Sequence, residues 1–244
     1  MLILNFIILF TFFAAIEGCL IQATFPPPSN DQFPRIRLLN SLPTLREFTS
    51  CSWIRPHTLQ KSCYAVTSYA TSSSDNTITS IITYRRNVMK VHLYIKSVRK
   101  VFRCPQIKWK INEWYHMCFS WSGSNGTAEV LMNGVPCSSN GKIQVNISKP
   151  GTIQGGGVFI IGQEQDMPDA KFSSSQSWIG DIAGFHLWDK TLSRSEVVEA
   201  GNIDSVPNPG NVISWMKTPT LDLDGVKYSK SDLCPVLGFT PVIV

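Results

Sequence analysis

Carboxylate and amide side chains are concentrated at residues 162–166 (GQEQD), directly after the apolar run 158–161 (VFII). The apolar run is typical of a buried strand, so Glu164, Gln165 and Asp166 would stand at its end, where backbone carbonyls can turn toward the same point. Oxygen ligands crowded into one loop suit a hard cation that takes several of them, which favours calcium over zinc. The sequence therefore predicts a calcium site that needs further oxygen ligands from elsewhere in the chain.

Composition favours one large all-β domain. The chain has 244 residues, of which 43% are hydrophobic and 16% are charged, and this argues against disorder, a coiled coil or a highly charged nucleic-acid binder. The net charge is a mild +5. Basic residues cluster locally at Arg85, Arg86, Lys90, Lys96, Arg99, Lys100 and Arg103. A cluster of this kind can meet an anionic surface but more often forms a solvated face.

The amino-terminal residues predict a secreted, extracellular protein. Residues 1–15 are almost wholly apolar, too short to cross a bilayer and suited to a signal peptide, for which we expect cleavage after Gly18. No later segment is long and apolar enough to anchor the chain in a membrane. The predicted organisation is a signal peptide at 1–18, an amino-terminal segment at 19–24, one domain at 25–235 and a tail at 236–244.

Seven cysteines without a CxxC pair predict disulfides in an oxidising compartment. Two sequons, at Asn125 and Asn146, predict glycosylation.

Short strands and tight turns dominate the middle of the chain. Residues 115–121 alternate, with Tyr115 and Trp121 on one face and His116 and Cys118 on the other, and Asn133-Gly134 predicts a hairpin turn. One helix is indicated by the capping box that begins at Ser193. This pattern favours an antiparallel sandwich.

Several motifs in register identify a family. They are HMCFSW at 116–121, GQEQD at 162–166, QSWIGDI at 176–182 and LWDKTLS at 187–193. With them the chain resembles the pentraxins. The segments FPPPSNDQFPRI at 25–36 and SYATSSSDN at 68–76, with Cys104 and Cys137, are similar to the arthropod-type C-reactive proteins of that family. The resemblance implies an all-β, two-sheet antiparallel jelly-roll sandwich with one short helix on one face, calcium on the opposite face, and assembly into a cyclic homo-oligomer.

The resemblance also implies the calcium ligands. Side-chain oxygens would come from Asp75, Asn76, Glu164 and Asp166, and Gln165 would give its backbone carbonyl. A second calcium would share Glu164 and Asp166 and add Gln176, but the position of a further acid is occupied by Ser173. Asp169 would replace that acid if the loop folded inward. We therefore expect one calcium ion to bind firmly and a second to bind weakly or not at all.

The family's ligand pocket is altered in this chain. The apolar wall that faces phosphocholine falls at Ile81, and the region of the acid that meets the amine holds Lys90. We therefore expect phosphorylated or other anionic glycans or head groups rather than phosphocholine.

Three disulfides follow from the resemblance and from the cysteines it leaves over. Cys51 and Cys118 match the family's inter-sheet bond, and Cys104 and Cys137 match the arthropod-type second bond. Cys63 and Cys234 remain, together with Cys19 if it survives cleavage of the signal peptide. We expect Cys63 and Cys234 to form the third bond, with an intersubunit bond as the alternative.

The expected function is calcium-dependent, lectin-like pattern recognition in innate immunity, with no enzymatic activity. The alternative is an interaction module of the same fold with weakened ligand binding. A jelly-roll glycosidase is a remote third reading, since residues 164–169 read Glu-x-Asp-x-x-Asp, but Pro168 and the final Asp depart from the pattern that this chemistry needs.

Overall fold

The structure, a computed structural model, describes residues 19–29, 31–38, 42–60, 63–203, 209–215, 217–218 and 220–234. The predicted signal peptide and the predicted tail at 236–244 lie outside these residues. The described residues form eighteen strands: β1 (Ile21–Phe25), β2 (Ile36–Leu38), β3 (Glu47–Pro56), β4 (Tyr64–Thr71), β5 (Ser74–Arg85), β6 (Val88–Ile95), β7 (Val98–Cys104), β8 (Tyr115–Ser122), β9 (Thr127–Met132), β10 (Val135–Pro136), β11 (Gln144–Asn146), β12 (Val158–Ile161), β13 (Gln163–Met167), β14 (Ala170–Ser177), β15 (Gly180–Trp188), β16 (Ile213–Ser214), β17 (Thr220–Asp222) and β18 (Lys227–Lys230).

Two antiparallel sheets form a sandwich. The first sheet has the order β10-β9-β8-β3-β15-β1-β18, with β11 beside β9 and β16 beside β15, and the second has the order β17-β2-β12-β4-β5-β6-β7. Strands β13 and β14 form a separate hairpin. The predicted all-β jelly-roll sandwich is confirmed.

Alternating side chains of both sheets fill the space between them. Tyr115, Met117, Phe119 and Trp121 of β8 all lie in this core, as their spacing predicts. Phe159 of β12 and Phe185 of β15 meet across the sandwich, with ring centroids 5.7 Å apart. The Asn133-Gly134 turn joins β9 to β10 with φ values of 50° and 74°, which confirms the predicted hairpin.

Within the described residues the chain forms one α-helix, α1 (Arg194–Ala200), which packs on the outer face of the first sheet. The predicted capping box is present: the Ser193 hydroxyl accepts a hydrogen bond from the Glu196 amide at 3.3 Å, and the Ser193 amide donates to the Glu196 carboxylate at 2.7 Å. Val197 and Ala200 bury their side chains against the Cys51–Cys118 disulfide. No helix among the described residues is long and apolar enough to span a bilayer.

The disulfides confirm two predicted pairs and correct the rest. Cys104–Cys137 and Cys51–Cys118 are bonded. However, Cys51 and Cys118 occupy opposite positions of the neighbouring strands β3 and β8, so their bond lies within the first sheet and the inter-sheet prediction is wrong. Both side chains point outward to the helix instead of inward to the second sheet.

The predicted Cys63–Cys234 bond is also wrong, because Cys234 is bonded to Cys19. Leu20 donates from its amide to the Leu233 carbonyl at 3.0 Å and accepts from the Ser231 amide at 2.9 Å, which extends the β1–β18 pairing to the two cysteines. Cys63 stands just before β4 in the other sheet and is the free cysteine of the described part of the chain.

Candidate calcium site

The hairpin β13–β14 lies on the outer face of the second sheet, opposite the helix, and Gly162 directs the chain into it. Gly162 has φ of +90°, its amide donates to the Val66 carbonyl at 2.9 Å, and its carbonyl accepts from the Trp178 amide at 2.8 Å. A Cβ atom here would stand 2.2 Å from the Phe25 ring. Only glycine fits both the backbone conformation and this close approach.

Two buried glutamines anchor the hairpin to the molecule. The Gln165 side-chain amide donates to the Ser68 carbonyl at 3.2 Å, to the Ser68 hydroxyl at 3.1 Å and to the Val158 carbonyl at 3.0 Å. The Gln163 side chain donates to the Ser177 hydroxyl at 2.6 Å. Since side chains alternate along a strand, the inward position of both glutamines turns Glu164 and Asp166 the other way. The sequence predicted a role only for the Gln165 backbone carbonyl, as a calcium ligand. The Gln-x-Gln spacing also indicates that both glutamine side chains lie on the same side of the strand, where they anchor it.

Asp75 and Asn76 begin β5 and are held by the neighbouring β6–β7 turn. The Ser97 amide donates to the Asn76 carbonyl at 2.9 Å, and the hydroxyl groups of Ser97 and Ser74 are 2.8 Å apart. This turn fixes the position of the pair although nearly ninety residues separate it from Glu164 in the sequence.

Glu164 is the centre at which the predicted ligands meet. Its pKa is raised to about 7, first by burial and then by the charges of Asp166 and Asp75, and a hydrogen bond from the Gln176 side chain acts in the opposite direction. Glu164, Asp166, Asp75 and Gln176 are therefore neighbours, and Asn76 adjoins Asp75 in the chain.

One carboxylate oxygen of Glu164 has no donor. Glu164 is 2% exposed, and its Oε2 atom is buried without a hydrogen-bond partner among the described residues. A buried carboxylate oxygen without a donor is costly, and two further carboxylates nearby increase the cost. A bound divalent cation removes both penalties, so the residues present fit calcium.

The residues expected at a second ion are less suitable. The Ser173 hydroxyl lies 2.8 Å from the Ser175 hydroxyl. Asp169 lies in the turn between β13 and β14, where one of its carboxylate oxygens forms an ion pair with Arg37 at 2.5 Å and its amide donates to Gln165 Oε1 at 2.8 Å. Asp169 is thus directed to Arg37.

Ile81 and Lys90 both lie on the outer face of the second sheet. Ile81 stands between Ala65 of β4 and His92 of β6, and it is only 7% exposed. Lys90 stands between Thr83 and Arg103.

The two predicted glycosylation sites lie on the surface. Asn125 and Asn146 are both exposed, and Asn146 is paired with Thr127 of the other sequon, so the two sequons are adjacent.

Cys51, His116 and Cys118 are close enough to suggest a metal group, but the two sulfur atoms are bonded to each other and are not available as thiolate ligands.

The two-sheet sandwich with an acidic hairpin on one face defines a class of binding domains, and comparison with known proteins specifies the family. The profile of the Pentaxin family matches residues 22–226. The C-reactive protein 1.1 of Limulus polyphemus is 30% identical over 220 residues, which cover 87% of this chain and 86% of that protein. The rat neuronal pentraxin receptor is 28% identical over 213 residues, which cover 87% of this chain and 40% of that protein.

Solved structures agree. The native heptameric SAP-like pentraxin from Limulus polyphemus superposes with a TM-score of 0.82 at 31% identity, covering 91% of this chain and all of that one. Domains LG4-5 of the mouse laminin α1 chain share the fold, with a TM-score of 0.53 at 10% identity over 88% of this chain and 48% of that one. The chain belongs to the pentraxin family. Pentraxins are non-enzymatic binding proteins, which confirms that this chain is not an enzyme and supports a pattern-recognition role.

Proposed function

We propose that this pentraxin is a secreted, calcium-dependent, lectin-like protein of innate immunity. It binds phosphorylated or other anionic glycans, or lipid head groups, on microbial or damaged-cell surfaces. The observation that carries this proposal is the buried Glu164 carboxylate, with one oxygen lacking a donor and with Asp166 and Asp75 beside it.

Five residues would hold the first calcium ion: Asp75, Asn76, Glu164 and Asp166 by their side chains and Gln165 by its carbonyl. Three of them are carboxylates, and oxygen ligands of this number and type suit calcium. When bound, the ion supplies positive charge that an anionic oxygen of a ligand can approach. Gln176 is available to a second ion, which binds weakly because Ser173 contributes no charge.

Calorimetric titration with calcium tests the site. We expect one tight site in the wild-type protein and its loss in Glu164→Gln, which keeps the shape of the side chain and removes the charge. Glu199→Gln, an exposed residue of α1 on the opposite face, is the matched control and should bind as wild type does. Two equally tight sites in the wild-type protein would contradict the prediction that only one calcium ion binds firmly.

A glycan array probed with and without calcium tests the ligand class. Retention on phosphorylated or carboxylated sugars only when calcium is present supports the proposal. The structural reason to expect an anionic ligand is Lys90 on the outer face. Tight binding of choline would refute this assignment.

A cyclic homo-oligomer is the proposed assembly, since the similar Limulus pentraxin is heptameric. Sedimentation velocity of the purified protein should give a single closed species. A monomer at micromolar concentration would contradict the ring.

The second candidate function is an interaction module with weakened ligand binding, and Ser173 favours it. Retention on phosphoryl-agarose distinguishes the two functions. The proposed function requires retention that a chelator abolishes, and the interaction module predicts no retention in either condition.

A further inference from the structure

A basic groove runs along the outer face of β5, β6 and β7, away from the calcium site. Its volume is about 580 Å³, within the range of about 300–1,000 Å³ that is common for ligand sites. The charged and titratable residues among those lining it are Arg85, Lys90, His92, Arg99, Lys100 and Arg103. No acidic residue is among the described residues that line it.

Strand register explains why all of these side chains except Lys100 share the outer face, since Lys100 stands opposite the core residue Leu93 at the edge of the sandwich. Thr83, Lys90 and Arg103 form one row across the three strands, and Val101, two residues before Arg103, stands in the next row beside His92. Because side chains point to the same face at every second residue, Arg99 continues this face one row further, opposite Tyr94. Arg99 and Arg103 are therefore separated by about 13 Å, at 3.3 Å per residue.

The charge of the groove is not neutralised by neighbours. None of its five Lys and Arg side chains forms an ion pair with the residues that the structure describes. The sequence from 77 to 112 contains nine Lys and Arg residues and no Asp or Glu. The local field also acts on His92, whose pKa is lowered to about 4 by burial and by the charges of Arg99 and Lys90. A groove with this uncompensated charge attracts anions.

We propose that this groove is a second, calcium-independent binding site for a sulfated or phosphorylated polysaccharide. Arginine side chains bind sulfate and phosphate groups through paired hydrogen bonds, and several of them at fixed spacing suit a chain that carries repeated anionic groups. The hydroxyl and amide groups of Thr83, Ser139 and Asn140 in the lining are suited to sugar hydroxyls. A nucleic acid is less well matched, because the described lining has no Phe, Tyr or Trp side chain on which a base could stack.

The groove is distinct from the calcium site. Its far end, at Thr83 and Arg103, lies seven residues beyond Asn76 on β5, or about 23 Å along the strand, whereas Arg99 stands in the row of Thr79, three residues or about 10 Å beyond Asn76. Lys90 is also the residue that favours an anionic ligand at the calcium site, so the test replaces Arg85 and Arg103, which have no part in that site. Binding in the groove needs neither Glu164 nor calcium, and either proposal can fail without the other.

The test measures binding of a heparin octasaccharide in the presence of a chelator, by calorimetry at near-physiological salt. We expect binding that is retained in Glu164→Gln and weakened about tenfold or more in Arg85→Glu/Arg103→Glu, with a steep dependence on salt. Lys227→Glu/Lys230→Glu, which reverses the same charge on exposed residues of β18 in the other sheet, is the matched control and should bind as wild type does. A phosphorylated mannan replaces the heparin fragment in a parallel arm and identifies which anionic group is preferred.

The imidazole signals in NMR locate the site. His92 lies in the groove, with Nε2 3.0 Å from the Thr83 hydroxyl, whereas His116 and His186 are buried in the first sheet. Addition of the octasaccharide should move the His92 signal and leave those of His116 and His186 unchanged. Binding that requires calcium, equal loss of affinity in both double variants, or tighter binding of single-stranded DNA than of either saccharide would overturn the proposal.

Discussion

The side-chain amide of Gln165 donates to both the carbonyl and the hydroxyl oxygen of Ser68, so the β13–β14 hairpin is fixed to β4 by a side chain that is outside the proposed set of calcium ligands. The Ser68 hydroxyl in turn donates to the Gln163 carbonyl at 2.9 Å. These contacts orient the backbone on which Glu164 and Asp166 stand. Positioning contacts of this kind commonly contribute about 10–100-fold in metal affinity.

We expect Gln165→Leu to weaken calcium binding by about 10–100-fold, although every ligand oxygen is retained. The substitution removes the amide that holds the hairpin and keeps a side chain of similar size. Calorimetric titration with calcium measures the effect. Gln106→Leu, at an exposed position, is the control. Unchanged calcium affinity in Gln165→Leu would show that the hairpin needs no such anchor.

Glu164→Gln should make the calcium-free protein more stable. The substitution removes a buried negative charge that lies beside Asp166 and Asp75, and it leaves the Gln176 contact in place. Since the pKa of Glu164 is displaced from 4.5 to about 7, the gain at neutral pH is on the order of 1–3 kcal/mol. Thermal unfolding in a chelator measures it.

Calcium should reverse this order of stability, because the wild-type protein gains binding free energy that the variant lacks. Glu199→Gln should unfold as wild type does in both conditions. If Glu164→Gln were less stable than wild type without calcium, the carboxylate would have a structural role that the proposed site does not include.

Local patterns in the sequence predicted an antiparallel sandwich and placed Glu164, Gln165 and Asp166 together after one strand. The alternation of β8 placed Trp121 in the core, and the Ser193 capping box located the helix, because each depends on neighbouring residues. Asp75 was joined to Glu164 only through the family resemblance, since no local pattern connects residues so far apart.

Features set by tertiary packing were not predictable from the sequence. The pairing of seven cysteines depends on which strands are neighbours, and the β1–β18 pairing that joins Cys19 to Cys234 has no sequence signature. The anchoring role of Gln165 also depends on β4 lying beneath the hairpin. The sequence shows the basic cluster but not the three-strand register that brings Lys90, Arg99 and Arg103 to one face.

The Cys19–Cys234 bond should stabilise the fold more than any contact of Cys63. It closes a loop with a sequence separation of 215, so we expect Cys19→Ser/Cys234→Ser to lower the free energy of unfolding by about 2–5 kcal/mol. Cys63→Ser should change it by less than about 0.5 kcal/mol. Urea unfolding measures both values.

Peptide mapping under non-reducing conditions checks the pairing itself. A peptide that joins Cys19 to Cys234 and an alkylated Cys63 are expected. A linked Cys63 peptide, together with strong destabilisation in Cys63→Ser, would contradict the pairing.

Buried histidines should make the protein sensitive to mild acid. The pKa of His116 is lowered to about 4 by burial and by His186, and that of His186 is lowered to about 4 by burial and by Lys217. The Gly210 amide donates to Nδ1 of His186 at 3.2 Å, which requires this nitrogen to be unprotonated. In the unfolded chain both rings titrate near 6.5, so the unfolded state binds more protons than the folded state between pH 6.5 and about 4.

Stability is therefore lost as pH falls below 6.5, by up to about 3 kcal/mol for each of these rings when pH 4 is reached. We expect His186→Asn, whose side-chain oxygen can still accept from the Gly210 amide, to lose less stability than wild type between pH 7 and pH 4.5. Urea unfolding at both pH values measures how much unfolding free energy each protein loses. Glu164, whose raised pKa favours the folded state in acid, contributes equally to both proteins and cancels when they are compared. Glu199→Gln should retain the wild-type dependence. An equally steep loss in His186→Asn would show that protonation of His186 does not drive the acid sensitivity.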